Sequence, residues 1–275
     1  MTWFNAMFAA EFKRMFSYRV DFWLQFFVSV AVELMVSYFL WEALFASTAT
    51  PGVVPGHAPE IGGYTFQMML LYVVFAAFGG RIVRGNERMI IASDIYDGGL
   101  TKYLLYPVSY LMVNFSRALA YNSVTIIQMG MGLLLLFAFY GLPPEYNFSF
   151  ENMLMGTSAC LVASAFYFVM YVIIDYIAFW VDTIWSLSVM FRFIAQFLSG
   201  LFIPLEMFPP AVRRAVYQTP FPYIGSEPIK MFLGRSSWSQ WAHTNLTIIL
   251  WTIPLFFLMQ LVWRRGLKNY TGVGI

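Results

Sequence analysis

Charge is what this sequence is short of. Only 11% of its 275 residues are Asp, Glu, Lys or Arg, while 60% are hydrophobic. A soluble domain carries about 25% charged residues, so too few are present here to coat a water-facing surface. Cysteine occurs once, at Cys160, which excludes an internal disulfide and a multi-cysteine metal site. The two histidines, His57 and His243, fall in a loop and at the edge of an apolar run. Neither a histidine metal centre nor a Ser–His or Cys–His pair at depth is expected. HExxH and GxSxG are absent, and the dipeptide Gly-Lys occurs nowhere. That removes the phosphate-binding loop GxxxxGK[ST], which needs its lysine on the phosphates. The chain is therefore not expected to hydrolyse ATP itself or to hold a cofactor or metal. A net charge of +2 is too small to suggest nucleic acid.

What is present is apolar sequence in runs of twenty or more, long enough to cross a hydrocarbon core roughly 30 Å thick. The runs predict six spans, at about 22–45, 64–80, 119–140, 153–174, 183–203 and 246–263. No ten-residue alternation of the kind that builds membrane barrels occurs. The expected fold is an all-α integral membrane bundle forming one unit over 1–275, without an internal repeat. Residues 1–20 place Phe4, Phe8, Phe12 and Phe16 on one stripe with Lys13 and Arg14 beside it. That suits a helix lying at the membrane interface, or a charged flank of the first span. Charges interrupt this stretch and no small-residue cleavage site follows, which disfavours a secretory signal.

Lys and Arg are unevenly spread. The N-terminal flank carries three, residues 81–118 carry five (Arg81, Arg84, Arg88, Lys102, Arg117) and the tail three, while the loops 46–63 and 141–152 carry none. Basic residues mark the cytoplasmic side, so both termini and 81–118 are expected in the cytoplasm. Arg213, Arg214, Lys230 and Arg235 fall on the other side, in conflict with that rule. The segment 197–240 that holds them is too apolar for a free loop and too rich in proline for a span. Short helices dipping back into the membrane, or a compact surface cap, fit it equally well.

Within the spans, Glu33 and Arg192 lie roughly 14–17 Å from the cytoplasmic edge at 1.5 Å per residue. An ionised group there costs at least ~2.5–3.5 kcal/mol, so the two are expected to pair or to line a polar cavity; otherwise Arg192 snorkels and Glu33 is neutral or bonded locally. Asn122 and Gln128 in span three suit interhelical bonding or a pathway lining. Gly156, Cys160 and Ser164, at four-residue spacing, form a close-packing stripe.

The pattern DGGLTKYLLYPVS at 97–109, SGLFIPLEMFPP at 199–210 and GLKNYTGVG at 266–274 resemble those of the ABC-2 type permeases. These are the membrane subunits of type V ATP-binding cassette exporters. The resemblance covers nearly the whole chain. It implies a coupling helix within 90–106 resting on a separate ATPase, with Asp94, Tyr96, Asp97, Gly98, Gly99, Leu100, Lys102, Leu105 and Pro107 as contacts and the turn Asp175–Asp182 as a second contact. It implies an interfacial connecting helix at the N-terminus and re-entrant helices forming an outer gate around Gly200, Phe202, Pro204, Phe208 and Pro209. It further implies ATP and Mg bound by partner ATPase subunits, and a second permease, the same chain or a paralogue, with spans one, two and five lining the pathway. The expected setting, among membrane lipids, is the inner membrane of a bacterium. Two other readings compete: a proton-coupled secondary transporter using Glu33, and a non-transporting scaffold.

Overall fold

In hydrocarbon an unpaired backbone N–H or C=O costs several kcal/mol, so apolar runs fold into helices that close their hydrogen bonds locally. The computed structural model describes residues 2–17, 19–48, 60–85 and 89–272, and among these it contains helices and one isolated bridge, Ile61 to Tyr64, but no strand. The helices are α1 (Thr2–Ser17), α2 (Arg19–Thr48), α3 (Phe66–Arg84), α4 (Ile90–Tyr96), α5 (Leu100–Leu105), α6 (Tyr110–Tyr140), α7 (Phe150–Tyr176), α8 (Trp185–Leu198), α9 (Pro210–Val216), α10 (Phe221–Ile224), α11 (Ser226–Phe232) and α12 (Trp238–Gly266). Single 3-10 turns occupy Ile177–Phe179 and Leu205–Met207. The long helices start where a hydroxyl can take an orphan N–H: Thr65 caps α3, Ser109 α6, Ser149 α7, and Ser237 with Gln240 forms a capping box on α12.

Five helices, α2, α3, α6, α7 and α12, are long and apolar enough to cross a membrane. The protein is an all-α multi-pass membrane protein. The expected fifth span, 183–203, is shorter than predicted. α8 has 14 residues, about 21 Å at 1.5 Å per residue, because Ser199 ends it and Gly200 turns the chain with φ +82. Tyr72 donates its hydroxyl to the Gly200 carbonyl at 2.7 Å and fixes that turn.

The middle of the bundle is α7, which packs on α12, α11, α3, α10, α6 and α8. Its small-residue stripe packs within the chain. A Cβ on Gly156 would lie 2.5 Å from the Phe232 ring. A Cβ on Gly79 would lie 3.4 Å from Cys160 Sγ, and Asn122 donates to Ser164 at 2.9 Å. Phe232, at the end of α11, stacks on Phe75 with centroids 5.0 Å apart. Within the 197–240 segment, α11 thus packs against both α3 and α7. α1 lies against α6 with its Phe4, Phe8, Phe12 and Phe16 half-buried and Lys13 and Arg14 exposed.

Two charged groups in the spanning helices meet, and they are not Glu33 with Arg192. Arg81 Nη1 holds Glu33 Oε2 at 2.9 Å, and Arg81 Nη2 donates to Ser29 Oγ at 3.1 Å. Helical side chains lean toward their own N-terminus. On the antiparallel pair α2 and α3, Arg81 and Glu33 thus lean toward each other, and Ser29, one turn before Glu33, completes the receptor. Arg81→Ala leaves the carboxylate without its counter-ion, worth about 2.5–3.5 kcal/mol on insertion scales. We expect a lower unfolding midpoint in detergent for Arg81→Ala, largely restored by adding Glu33→Gln; a midpoint unchanged by Arg81→Ala would refute the pair's structural role.

Candidate functional site

Five basic residues surround α4 and α5: Arg84 at the end of α3, Lys102 on α5 itself, Arg117 on α6, and Arg264 and Arg265 at the end of α12. Here the chain leaves the spanning helices and folds a compact two-helix loop. α4 starts after Met89, which adopts a left-handed conformation with φ 49 and offers no side-chain cap. Asp97 and Gly98, the latter at φ +71, turn the chain into α5. Gly99 must be small: a Cβ there would meet Asp94 Oδ1 at 2.9 Å. Local bonds then fix the turn, with Ser93 Oγ donating to Asp97 Oδ2 at 2.8 Å and Tyr110 OH donating to Asp94 Oδ2 at 2.8 Å.

The residues expected to contact a partner divide in two. Leu100 is fully buried and Asp175 is 2% exposed, so neither can touch anything outside the chain. Leu100 lies with Ile91, Ala92 and Ile95 in an apolar cluster formed with Ile174, Tyr176 and Ile184. The Asp175 carboxylate faces the backbone N–H groups of Ala92 and Ile91, at the start of the helix that lacks its own cap. By contrast Asp97, Lys102, Leu105, Pro107 and Asp182 are exposed, and Asp94, Tyr96, Gly98 and Gly99 are half-buried. Tyr96 joins the two loops: burial, then the charges of Asp175 and Asp182, push its phenol above the usual range. It stays neutral and packs as a ring.

Of the exposed ledge, sequence reasoning named Leu105 as a contact but neither Leu104 nor Tyr106. Leu104, Leu105 and Tyr106 are 46%, 80% and 62% exposed, a run of apolar surface on α5 and just beyond it. It also missed what holds α5 in place. Tyr103 packs on Tyr110 with centroids 5.0 Å apart, and the Arg117 guanidinium donates to Tyr103 OH at 3.0 Å. Trp263 from α12 stacks on Tyr110 at 5.9 Å and packs against Tyr176 at 4.9 Å. The clue in the sequence was the density of aromatics at these span ends.

Behind α4 lies a cavity of about 60 Å³ whose lining includes the polar side chains of Arg84, Arg117, Asn122, Ser164 and Asp175. Asn122 Oδ1 and Asp175 Oδ1 are buried with no hydrogen-bond partner among the described residues. Gln128 is buried in α6, its Nε2 likewise without a partner among the described residues.

At the opposite end, the four basic residues that conflicted with the orientation rule have individual explanations in two cases. Lys230 Nζ lies 2.8 Å from Glu206 and 2.9 Å from Glu227, and donates to Tyr217 OH at 2.8 Å. Burial alone would lower its pKa, but Glu227, Tyr217 and Glu206 more than reverse this and hold the ammonium charged well above the ordinary lysine range. The Arg235 guanidinium sits 4.3 Å from the Tyr64 ring centroid. Arg214 is exposed on α9 and Arg213 half-buried. Of the expected outer-gate residues, Gly200 and Pro204 are buried, Phe208 packs on Phe197 at 5.1 Å, and Phe202 and Pro209 are exposed.

Residues 31–274 match the profile of the ABC-2 family transporter proteins. The chain belongs to that family. It is thus a membrane permease component of an ABC transporter, the class of subunit that works with an ABC ATPase. Neither the curated proteins nor the solved structures give a match. For this ABC-2 protein, the folded loop of α4 and α5 is a feature outside the spanning helices that combines a fixed shape with exposed apolar surface.

Proposed function

We propose that this chain is the permease of an exporter in a bacterial cytoplasmic membrane, and that separate ATP-binding cassette subunits dock on the surface formed by α4, α5 and Asp182. ATP and Mg belong to those subunits. Two permeases, identical or paralogous, face each other, and closure of the ATPase pair on ATP shifts the bundle between inward and outward access. The observation that carries this reading is the ledge Leu104–Leu105–Tyr106, exposed on a loop pinned to the three spanning helices α6, α7 and α12. A flexible loop would absorb a push from a partner; a pinned one passes it on.

Orientation with both ends in the cytoplasm is supported by the basic residues around α4 and α5; on the other side, Lys230 is held by Glu206 and Glu227 and Arg235 lies over the Tyr64 ring. α11, seated against Phe75 and Gly156, suits a re-entrant element of the outer gate. An apolar groove of about 860 Å³ between α2, α3 and α6, lined by Leu34, Met35, Tyr38, Leu70 and Phe137 among others, favours an apolar or amphipathic cargo. Glu33, already paired with Arg81, has a structural role that the proton-coupled reading does not need. The test is capture of the tagged chain from native membranes in mild detergent. ATP hydrolysis inhibited by vanadate, together with a subunit bearing a GxxxxGK[ST] loop, is expected in the captured material. Uphill transport by the chain that follows a proton gradient with ATP depleted would overturn the proposal.

A further inference from the structure

The segment after α12 returns to the docking loop. Gly266 is buried, and a Cβ there would lie 2.1 Å from the Phe179 ring, so the chain passes this point only because 266 has no side chain. Beyond it Tyr270 is half-buried, with its ring edge-on to Phe179 at 6.1 Å and its hydroxyl 2.9 Å from Thr101 Oγ1 on α5. A Cβ on Gly272 would lie 3.5 Å from the same Thr101 oxygen, so the chain is still beside α5 two residues further on. Three elements distant in sequence are joined at one tyrosine: α5, the 3-10 turn that ends α7, and the exit of α12.

We infer that Leu267–Gly272 is a strap that fastens α5 to the ends of α7 and α12, and that Tyr270 is its positioning residue. Without it, α5 is tied to the spanning helices through its chain links, the Leu100 anchor and Tyr103. With it, a displacement of α5 is delivered directly to α12, whose Trp263 already packs on Tyr110 and Tyr176. Coupling of this kind needs a demonstrated common movement, not adjacency alone. The consequence for nucleotide response rests on the permease reading above; the strap itself does not.

The experiment has two arms. In the first, the chain alone in nanodiscs carries spin labels at Lys102→Cys and Arg265→Cys, both exposed, while native Cys160 is buried and unreactive. A single narrow distance is expected. Tyr270→Phe keeps the ring and loses the hydroxyl, and Thr101→Val loses the other partner. Each should add a second, broader population, and the double variant should add no more than either alone, as for two halves of one contact. In the second, the unlabelled captured complex is compared with and without ATP and vanadate. Hydrogen exchange at the exit of α12 should respond to nucleotide in the parent and lose that response in Tyr270→Phe. A distance distribution unchanged by Tyr270→Phe, or an α12 response that survives it, overturns the inference. Failure to capture an ATPase would count against the permease reading, and the first arm would still decide the strap.

Discussion

Leu105→Asp leaves the helical bundle folded and strips the ATPase from it. The Leu105 side chain is 80% exposed, and surface substitutions of that kind change stability by about 0.5 kcal/mol or less. In a docked complex the same leucine is covered. Losing its burial removes about 1.5–3 kcal/mol, and an uncompensated carboxylate forced into an apolar groove adds several more. Together these lower affinity by roughly three orders of magnitude at 1.4 kcal/mol per tenfold. Hydrolysis recovered per mole of captured chain should fall to background while yield and thermal midpoint stay level. Leu100→Asp gives the opposite pairing of results: Leu100 has no exposed surface, so a charge there destroys the fold of the loop before docking is in question. Equal loss of ATPase and of midpoint in Leu105→Asp would mean the ledge is structural.

Gly156→Val displaces α11 from the bundle. The new Cβ would stand 2.5 Å from Phe232 Cδ1 and Cε1, and the ring has little room to move. Its other face is stacked on Phe75 at 5.0 Å, the Phe232 carbonyl accepts from Tyr146 OH at 2.9 Å, and Gly79 lies at its edge. Overpacking a well-filled site costs about 1–3 kcal/mol, concentrated here on a short helix. The expected readout is new protease sensitivity between 205 and 235, with the long helices still protected. Adding Phe232→Leu to Gly156→Val should restore much of the protection, because the substitution removes the atoms that clash. Protection unaltered by Gly156→Val would contradict the seating of α11.

The spanning helices were legible because continuous apolar sequence in lipid has almost no alternative to helix. α8 was read five residues too long at its far end, since 199–203 are mostly apolar and the helix stops at the Ser199–Gly200 turn. The partner of Glu33 was left open between Arg192 and a local bond, for a different reason. Arg192 was judged by depth along an expected straight span, whereas Arg81, near a helix end, reaches inward through the tilt of its side chain. In α5 the limit was length. Six residues are too few for a helical period to tell Leu100, which is buried, from Leu105, which is not; neighbours on α7 decide that, and they lie seventy residues away. Tyr270 was quoted as part of a motif, but no local pattern says that it meets Thr101.

The ATPase is expected to sit on the ledge of α5. The most direct measurement places a photo-reactive amino acid at Leu105 in cells and identifies what it captures. A cross-linked product containing an ATP-binding cassette subunit is expected at 105 and not when the same probe is placed at exposed Phe257 on α12. Equal capture of that subunit from both positions, or capture of lipid alone at 105, would contradict it.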